Sequence, residues 1–140
     1  MLVEHFHNTH KSAGSYPERL QSILRLKDAE IAFNEISTWP SYEQTPLVSL
    51  NKIAAEIGIK EIYYKDESSR FGLGSFKALG GTYGVLRFIK DALEEEFGKT
   101  VTIEDIRSGK YSNNISKYTV TTATDGNHGR SVAFGAKLFG

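Results

Sequence analysis

Cysteine is absent from this sequence of 140 residues, so disulfide bonds, thiolate metal ligands and cysteine nucleophiles are excluded. An excess of charge is absent too, because 17 Lys and Arg residues balance 17 Asp and Glu residues. Nucleic acid and anionic membranes are therefore not expected partners. The sequence also lacks a signal-peptide pattern and any apolar run near the ~18 residues that a membrane span requires. We expect a cytoplasmic protein. We expect no metal site, because three of the four histidines lie in a polar N-terminal segment without predicted structure.

Predicted helices and strands alternate along the rest of the chain. Apolar residues that recur at steps of three and four predict helices near residues 26–37, 47–57, 76–97 and 127–139. Residues 59–65 and 118–123 are rich in β-branched and aromatic side chains, which predicts strands. This alternation is typical of an α/β fold with parallel strands, whose active site forms at the carboxyl ends of the strands. Because two strands leave the sheet incomplete, we expect the chain to be the N-terminal portion of a longer protein.

Two loops follow the predicted strands, and both carry residues suited to cofactor chemistry. The loop Lys65–Gly81 places Lys77 where a helix begins, and such a lysine can bind a carbonyl cofactor or simply be a solvent-exposed turn residue. The loop Thr121–Gly129 places Asp125 and Asn127 at a helix N-terminus, where free N–H groups favour an anion. The two loops are predicted to face one crevice. A covalent lysine, an amide donor and an anion site are the groups that pyridoxal phosphate chemistry uses.

Other glycine-containing motifs are incomplete. Gly72 and Gly74 match the start of a dinucleotide fingerprint, but a lysine stands where its third glycine is required. The run Gly98-Lys99-Thr100 matches the end of a phosphate-binding loop, but Leu93 occupies the position of its first glycine. No G-x-S-x-G nucleophile motif is present. Nucleotide binding and serine hydrolysis are therefore not supported.

Three motifs together resemble the fold type II pyridoxal phosphate enzymes, the tryptophan synthase β-like group. They are Thr45-Pro46-Leu47, Ser75-Phe76-Lys77 and the run from Thr124 to Gly129. More narrowly, KDESSRFGLGSFKALGG and TTATDGNHGRSVAFGAKLFG are similar to the diaminopropionate ammonia-lyase family, in which an aspartate precedes Gly-Asn-His-Gly. The resemblance covers roughly residues 38–140. It implies that residues 1–37 form an N-terminal extension with a helix, and that residues 38–140 are the first portion of the pyridoxal phosphate domain.

The resemblance also implies roles for single residues. Lys77 matches the lysine that holds the cofactor covalently and takes the α-proton of the L-substrate. Asp125 matches the base for the α-proton of the D-substrate. Phe76 matches a residue that flanks the cofactor ring, and Asn127 the amide that binds its 3-hydroxyl group. The loop implied to hold the substrate carboxylate contains Thr124, Gly126, His128 and Gly129.

The activity implied by the resemblance is β-elimination of 2,3-diaminopropionate to pyruvate and ammonia, with pyridoxal 5'-phosphate, in a homodimer. The sequence departs from the family at Gly74-Ser75, where Asn-Ala is usual. The glycine-rich loop that binds the cofactor phosphate is expected beyond residue 140, so we expect activity only in a longer chain. Two alternatives are an inactive fragment that serves as a binding or oligomerisation module and a serine/threonine dehydratase-like lyase. Asp125 argues against the second, because most of those dehydratases have serine there.

Overall fold

The computed structural model describes residues 7–11, 14–124 and 126–140. Its helices and strands alternate for the first half of the chain, and helices follow in the second half. In chain order they are α1 (Leu26–Ile36), β1 (Leu47–Ser49), α2 (Asn51–Ile57), β2 (Tyr63–Lys65), α3 (Lys77–Phe97), α4 (Ile103–Arg107), α5 (Ser112–Ile115) and α6 (Asn127–Phe139). Short 3₁₀ turns cover Glu18–Leu20 and Arg70–Gly72. Among the described helices, none is long and apolar enough to cross a membrane.

The long helix α3 is the centre of the hydrophobic core. Its 21 residues carry apolar side chains at helical spacing, and Leu86 and Leu93 are fully buried. Gly98 ends the helix in the left-handed conformation, with φ of 62°, which glycine adopts without steric cost. The predicted long helix is therefore confirmed. The other members of the buried cluster are Trp39, Val85, Ile89, Val101, Ile106, Tyr111, Ile115 and Phe139.

Helices α3 and α6 pack closely and run in the same direction. Near the start of both helices, Ser131 of α6 hydrogen-bonds to the carbonyl of Lys77. One turn further along α6, a Cβ added to Gly135 would lie 3.0 Å from Thr82 Cα and 3.1 Å from Val85 Cβ. The contact therefore advances along both helices together, and both N-termini lie at the same end of the molecule. This parallel arrangement decides where the candidate site forms.

Strands β1 and β2 pair antiparallel, with Leu47 opposite Lys65. This pair was not predicted, because residues 47–49 were expected to belong to a helix. The same register continues beyond the strands, where the Leu50 N–H donates to the Ile62 carbonyl at 2.9 Å. Ser49 at the end of β1 lies opposite Tyr63 at the start of β2, so the intervening residues, which include α2, join adjacent strand ends. The sheet is small and incomplete, as expected, within an α/β chain.

Two other predicted elements differ from the structure. The helix predicted near residues 47–57 begins only at Asn51, because residues 47–49 pair with β2 and backbone pairing overrides their helical spacing. Residues 118–123, predicted to be a strand, are not assigned to one. A strand needs a neighbour for its ladder of hydrogen bonds, and no part of the chain that the structure describes provides one there.

Candidate functional site

Lys77 begins α3 with a fixed backbone and an exposed side chain. Its N–H donates to Ser75 Oγ at 3.2 Å, and its carbonyl accepts a hydrogen bond of 2.6 Å from Ser131 Oγ. Because Ser131 belongs to α6, the second bond ties the start of α3 to that helix. The preceding side chain, Phe76, is 64% exposed. Both predicted cofactor contacts are therefore accessible to a ligand.

The loop before α6 is shaped by one threonine and two glycines. Thr124 Oγ1 accepts hydrogen bonds from the N–H groups of Gly126 at 3.1 Å and Gly129 at 3.0 Å. Gly126 has φ of 147°, a conformation that side chains strongly disfavour. A Cβ at Gly129 would overlap Thr124 Cγ2. The loop can therefore close around the threonine hydroxyl only with glycine at both positions.

The two predicted site loops lie at the same end of the parallel helix pair. Asn127 is the first residue of α6 and is exposed, as Lys77 is at the start of α3. His128 approaches α3 closely, because its Nδ1 lies 3.5 Å from the position that a Cβ on Gly81 would occupy. Asp125 lies outside the described residues. The structure thus brings together the helix starts that carry Lys77, Asn127 and His128.

An open groove runs along α3 beside these helix starts. Its volume is about 510 Å³, within the range typical of small-molecule sites. The lining residues are Gly80, Gly81, Gly84, Val85, Phe88, Thr119, Val120, Thr121, Thr122, His128 and Val132. Among the predicted site residues that the structure describes, His128 is the one that lines it. A Cβ at Gly80 or Gly84 would meet no atom within 4 Å, so these glycines leave the helix surface bare.

Ser131 and Thr82 are positioning residues that the sequence analysis missed. Both are fully buried. Thr82 Oγ1 donates to the Ser131 carbonyl at 2.9 Å, while Ser131 Oγ donates to the Lys77 carbonyl. Each is a small polar residue on an otherwise apolar helix face, and this pattern is the signal that could have identified them. Together they fix the start of α3 against α6.

A buried polar cluster lies in the loop Lys65–Gly81, before Lys77. Arg70 is only 5% exposed and donates from Nε and Nη2 to both carboxylate oxygens of Glu67, at 2.7 and 2.9 Å. Its remaining donors reach Thr45 Oγ1 at 3.0 Å and the Glu43 carbonyl at 2.7 Å. Thr45 Oγ1 in turn donates to Glu67 at 2.5 Å. The Arg70 guanidinium holds the pKa of the Glu67 carboxyl at about 2, well below its usual range.

This depressed pKa predicts an acid-sensitive contribution to stability. A carboxyl with a pKa of about 2 in the folded state and 4.5 otherwise stabilises the fold above pH 4.5. The contribution decreases as the pH falls from 4.5 towards 2, because the Glu67 carboxyl of the unfolded chain is protonated in this range and that of the folded chain is not. We expect urea midpoints of the protein and of Glu67→Gln to differ most above pH 5 and to converge towards about pH 2. A difference that does not change with pH would contradict this assignment.

Comparisons with known proteins identify the family. A family model described as "Pyridoxal-phosphate dependent enzyme" matches residues 38–140. Diaminopropionate ammonia-lyase of Salmonella typhimurium is 39% identical over 101 residues, which cover 72% of this chain and 25% of the relative. The Escherichia coli (strain K12) enzyme of that name is 39% identical over 99 residues, covering 71% and 24%. The chain therefore spans about a quarter of the length of these curated relatives.

Two solved structures share the fold. One is holo diaminopropionate ammonia lyase from Escherichia coli, with a TM-score of 0.59 and 32% identity over 81% of this chain and 28% of that one. The other is the same enzyme in complex with an aminoacrylate-PLP azomethine reaction intermediate, with a TM-score of 0.60 and 34% identity over 81% and 26%. The predicted fold type is thereby confirmed. Because the family model covers well over half of its residues, this chain belongs to the pyridoxal-phosphate dependent enzymes of fold type II.

Proposed function

We propose that the full-length protein is a pyridoxal phosphate-dependent lyase that removes ammonia from 2,3-diaminopropionate and yields pyruvate and a second ammonia. The observation that carries this proposal is the bond between Ser131 Oγ and the Lys77 carbonyl, which places an exposed lysine at the end of the molecule where α6 also begins. The 39% identity to enzymes named diaminopropionate ammonia-lyase supports the choice of substrate.

The residues present fit pyridoxal phosphate. Lys77 offers an exposed primary amine with which an aldehyde can react. The N–H groups of Asn127 and His128 have no partner among the described residues, so the start of α6 can accept an anionic group. When bound, pyridoxal phosphate supplies an electron sink for the charge that develops at the substrate α-carbon.

The protein's own residues divide the remaining tasks. In this proposal Lys77 holds the cofactor and takes the α-proton of the L-isomer, while Asp125 takes that of the D-isomer. Asn127 would bind the cofactor 3-hydroxyl group through its side-chain amide, and Phe76 would flank the ring. The substrate carboxylate binds at the loop that contains Thr124, Gly126, His128 and Gly129. Thr124 Oγ1 already holds two N–H groups of this loop, so the loop is ordered before an anion binds.

Product analysis tests the reaction class. We expect the full-length protein with pyridoxal phosphate to convert 2,3-diaminopropionate into pyruvate and ammonia in a ratio of one to two. Serine and threonine have hydroxyl groups in place of the β-amino group, and we expect little turnover of either. Pyruvate can be measured by coupled reduction and ammonia by glutamate formation. Faster turnover of serine or threonine would instead favour a dehydratase.

The role of Asp125 is tested with the two isomers. We expect Asp125→Asn to decrease kcat for D-2,3-diaminopropionate by about 100-fold or more, because the amide cannot accept the α-proton. Turnover of the L-isomer should change far less, since Lys77 accepts the proton on the other face. The L-isomer thus serves as the internal control for folding and cofactor binding. Equal losses for both isomers, or no loss for the D-isomer, would contradict the assignment of Asp125.

Assembly and organisation are further parts of the proposal. We propose a cytoplasmic homodimer, because the balanced charge of 17 basic and 17 acidic residues does not oppose association. Residues 1–37 form an extension that contains α1, and residues 38–140 are the first portion of the catalytic domain. Light scattering on the full-length protein tests the dimer, and a monomer at micromolar concentration would refute it.

A further inference from the structure

The cluster of Thr45, Glu67 and Arg70 joins parts of the chain that lie far apart in sequence. Thr45 is 4% exposed and precedes β1, whereas Glu67 and Arg70 follow β2. Lys65 at the end of β2 also donates to the Thr45 carbonyl at 2.6 Å. A buried arginine that donates to both carboxylate oxygens of one partner has a fixed geometry, because the two planar groups form a pair of parallel hydrogen bonds. The start of the lysine loop is therefore held rigidly to the segment before β1.

The backbone conformation of the rest of this loop is tightly constrained. Phe71, Gly72 and Gly74 all adopt left-handed conformations, with φ of 49°, 68° and 70°. For a phenylalanine this conformation is sterically unfavourable, so surrounding contacts must maintain it. The Phe71 ring lies 5.6 Å from that of Phe134 and 5.9 Å from that of Trp39. Because Phe134 belongs to α6, Phe71 fastens the loop to the helix that begins with Asn127.

We propose that Thr45, Glu67 and Arg70 act as positioning residues for Lys77, by fixing the loop that sets the lysine at the start of α3, next to α6. This inference rests on the proposed function, because it assigns the cluster a role in presenting the cofactor lysine. Arg70 precedes Lys77 by seven residues and touches no predicted site residue. Its effect is transmitted through Phe71 and the left-handed turn to the first turn of α3. The bond from Ser131 then holds the far end of the same segment.

Two variants of Thr45 separate positioning from general stability. Thr45→Val keeps the shape of the side chain and removes the oxygen that Arg70 and Glu67 bind, whereas Thr45→Ser keeps that oxygen. The control is Val101→Ala, a buried site whose N–H donates to Glu94 Oε1 near the opposite end of α3, about 25 Å along the helix from Lys77. It creates a cavity without touching the loop.

The measurement is covalent capture of pyridoxal phosphate by the full-length protein freed of cofactor. After brief incubation and borohydride reduction, peptide mapping gives the ratio of label on Lys77 to label on Lys137, an exposed lysine of α6. We expect Thr45→Val to lower this ratio by about tenfold, because a misplaced lysine loses the oriented approach to the cofactor. Thr45→Ser should stay within about twofold of the unchanged protein, and Val101→Ala should retain the ratio despite a lower Tm.

The possible outcomes are distinguishable. A ratio that Thr45→Val leaves unchanged overturns the positioning role but not the proposed function. If the unsubstituted protein shows no preference for label on Lys77 over Lys137, both the positioning role and the proposed function are overturned. A lowered ratio in Val101→Ala, matched to its loss of stability, would show that the effect is one of stability and would also overturn the positioning role. If Thr45→Val does not fold, Arg70→Lys replaces it, because lysine keeps the charge but loses the paired hydrogen bonds.

Discussion

Replacing Lys77 with methionine should abolish the specific capture of pyridoxal phosphate. In the unchanged protein, borohydride should fix the cofactor mainly on the peptide that contains Lys77. In Lys77→Met we expect label on that peptide to fall below detection, because methionine has no amine with which to form the bond. Lys65, the other lysine of this loop, cannot readily substitute, since its Nζ donates to the Thr45 carbonyl at 2.6 Å. Mass spectrometry of the reduced, digested protein measures both peptides.

The matched control for this prediction is Lys137→Met. Lys137 lies on α6 and is exposed, so it measures the slow labelling of any accessible lysine. Its replacement should leave capture at Lys77 unchanged. The interpretation of Lys77 as the cofactor lysine would be wrong if the two substitutions lowered the total label equally. It would also be wrong if label in the unchanged protein were spread evenly over the exposed lysines.

The features that local sequence decides were predicted well. The spacing of apolar residues identified α3, which the structure assigns to Lys77–Phe97. Such signals depend on neighbours within one or two turns of the chain. The motif around Lys77 was likewise visible, because its residues are contiguous, and the role of Lys77 as the cofactor lysine stays a prediction.

The features that depend on distant residues were not predicted. The antiparallel pairing of β1 with β2 joins residues up to 18 positions apart, Leu47 with Lys65, and periodicity does not encode such contacts. The Arg70 cluster joins residues more than 20 positions apart, and the bond from Ser131 to Lys77 spans 54 positions. Loop closure of this kind depends on the whole fold and leaves only a weak local signal, such as a polar residue on an apolar face. The predicted role of Asp125 stays a prediction, since that residue lies outside the described part of the chain.

Alanine substitutions at two glycines of α3 should change stability in opposite directions. A Cβ at Gly81 would lie 2.9 Å from Ser131 Cβ and would overlap Ser131 Oγ. Ser131 cannot simply rotate away, because its hydroxyl is bound to the Lys77 carbonyl within a packed interface. We expect Gly81→Ala to destabilise the protein by about 1–3 kcal/mol through overpacking. Gly84→Ala meets no atom within 4 Å and should stabilise it by about 0.5–1 kcal/mol, since alanine favours the helix.

Urea unfolding of both variants measures their changes in stability. Labelling of Lys77 shows whether each substitution also affects the candidate site. Gly81→Ala forces α3 and α6 apart where Ser131 holds Lys77, so capture of pyridoxal phosphate should decrease together with stability. Gly84→Ala changes the same helix one turn away and leaves that contact intact, so its capture at Lys77 should be unchanged. If both variants were stabilised by the same amount, the two helices would not be in close contact at Gly81. The placement of Lys77 and Asn127 at the same end of the helix pair would then lose its structural basis, because it depends on that contact.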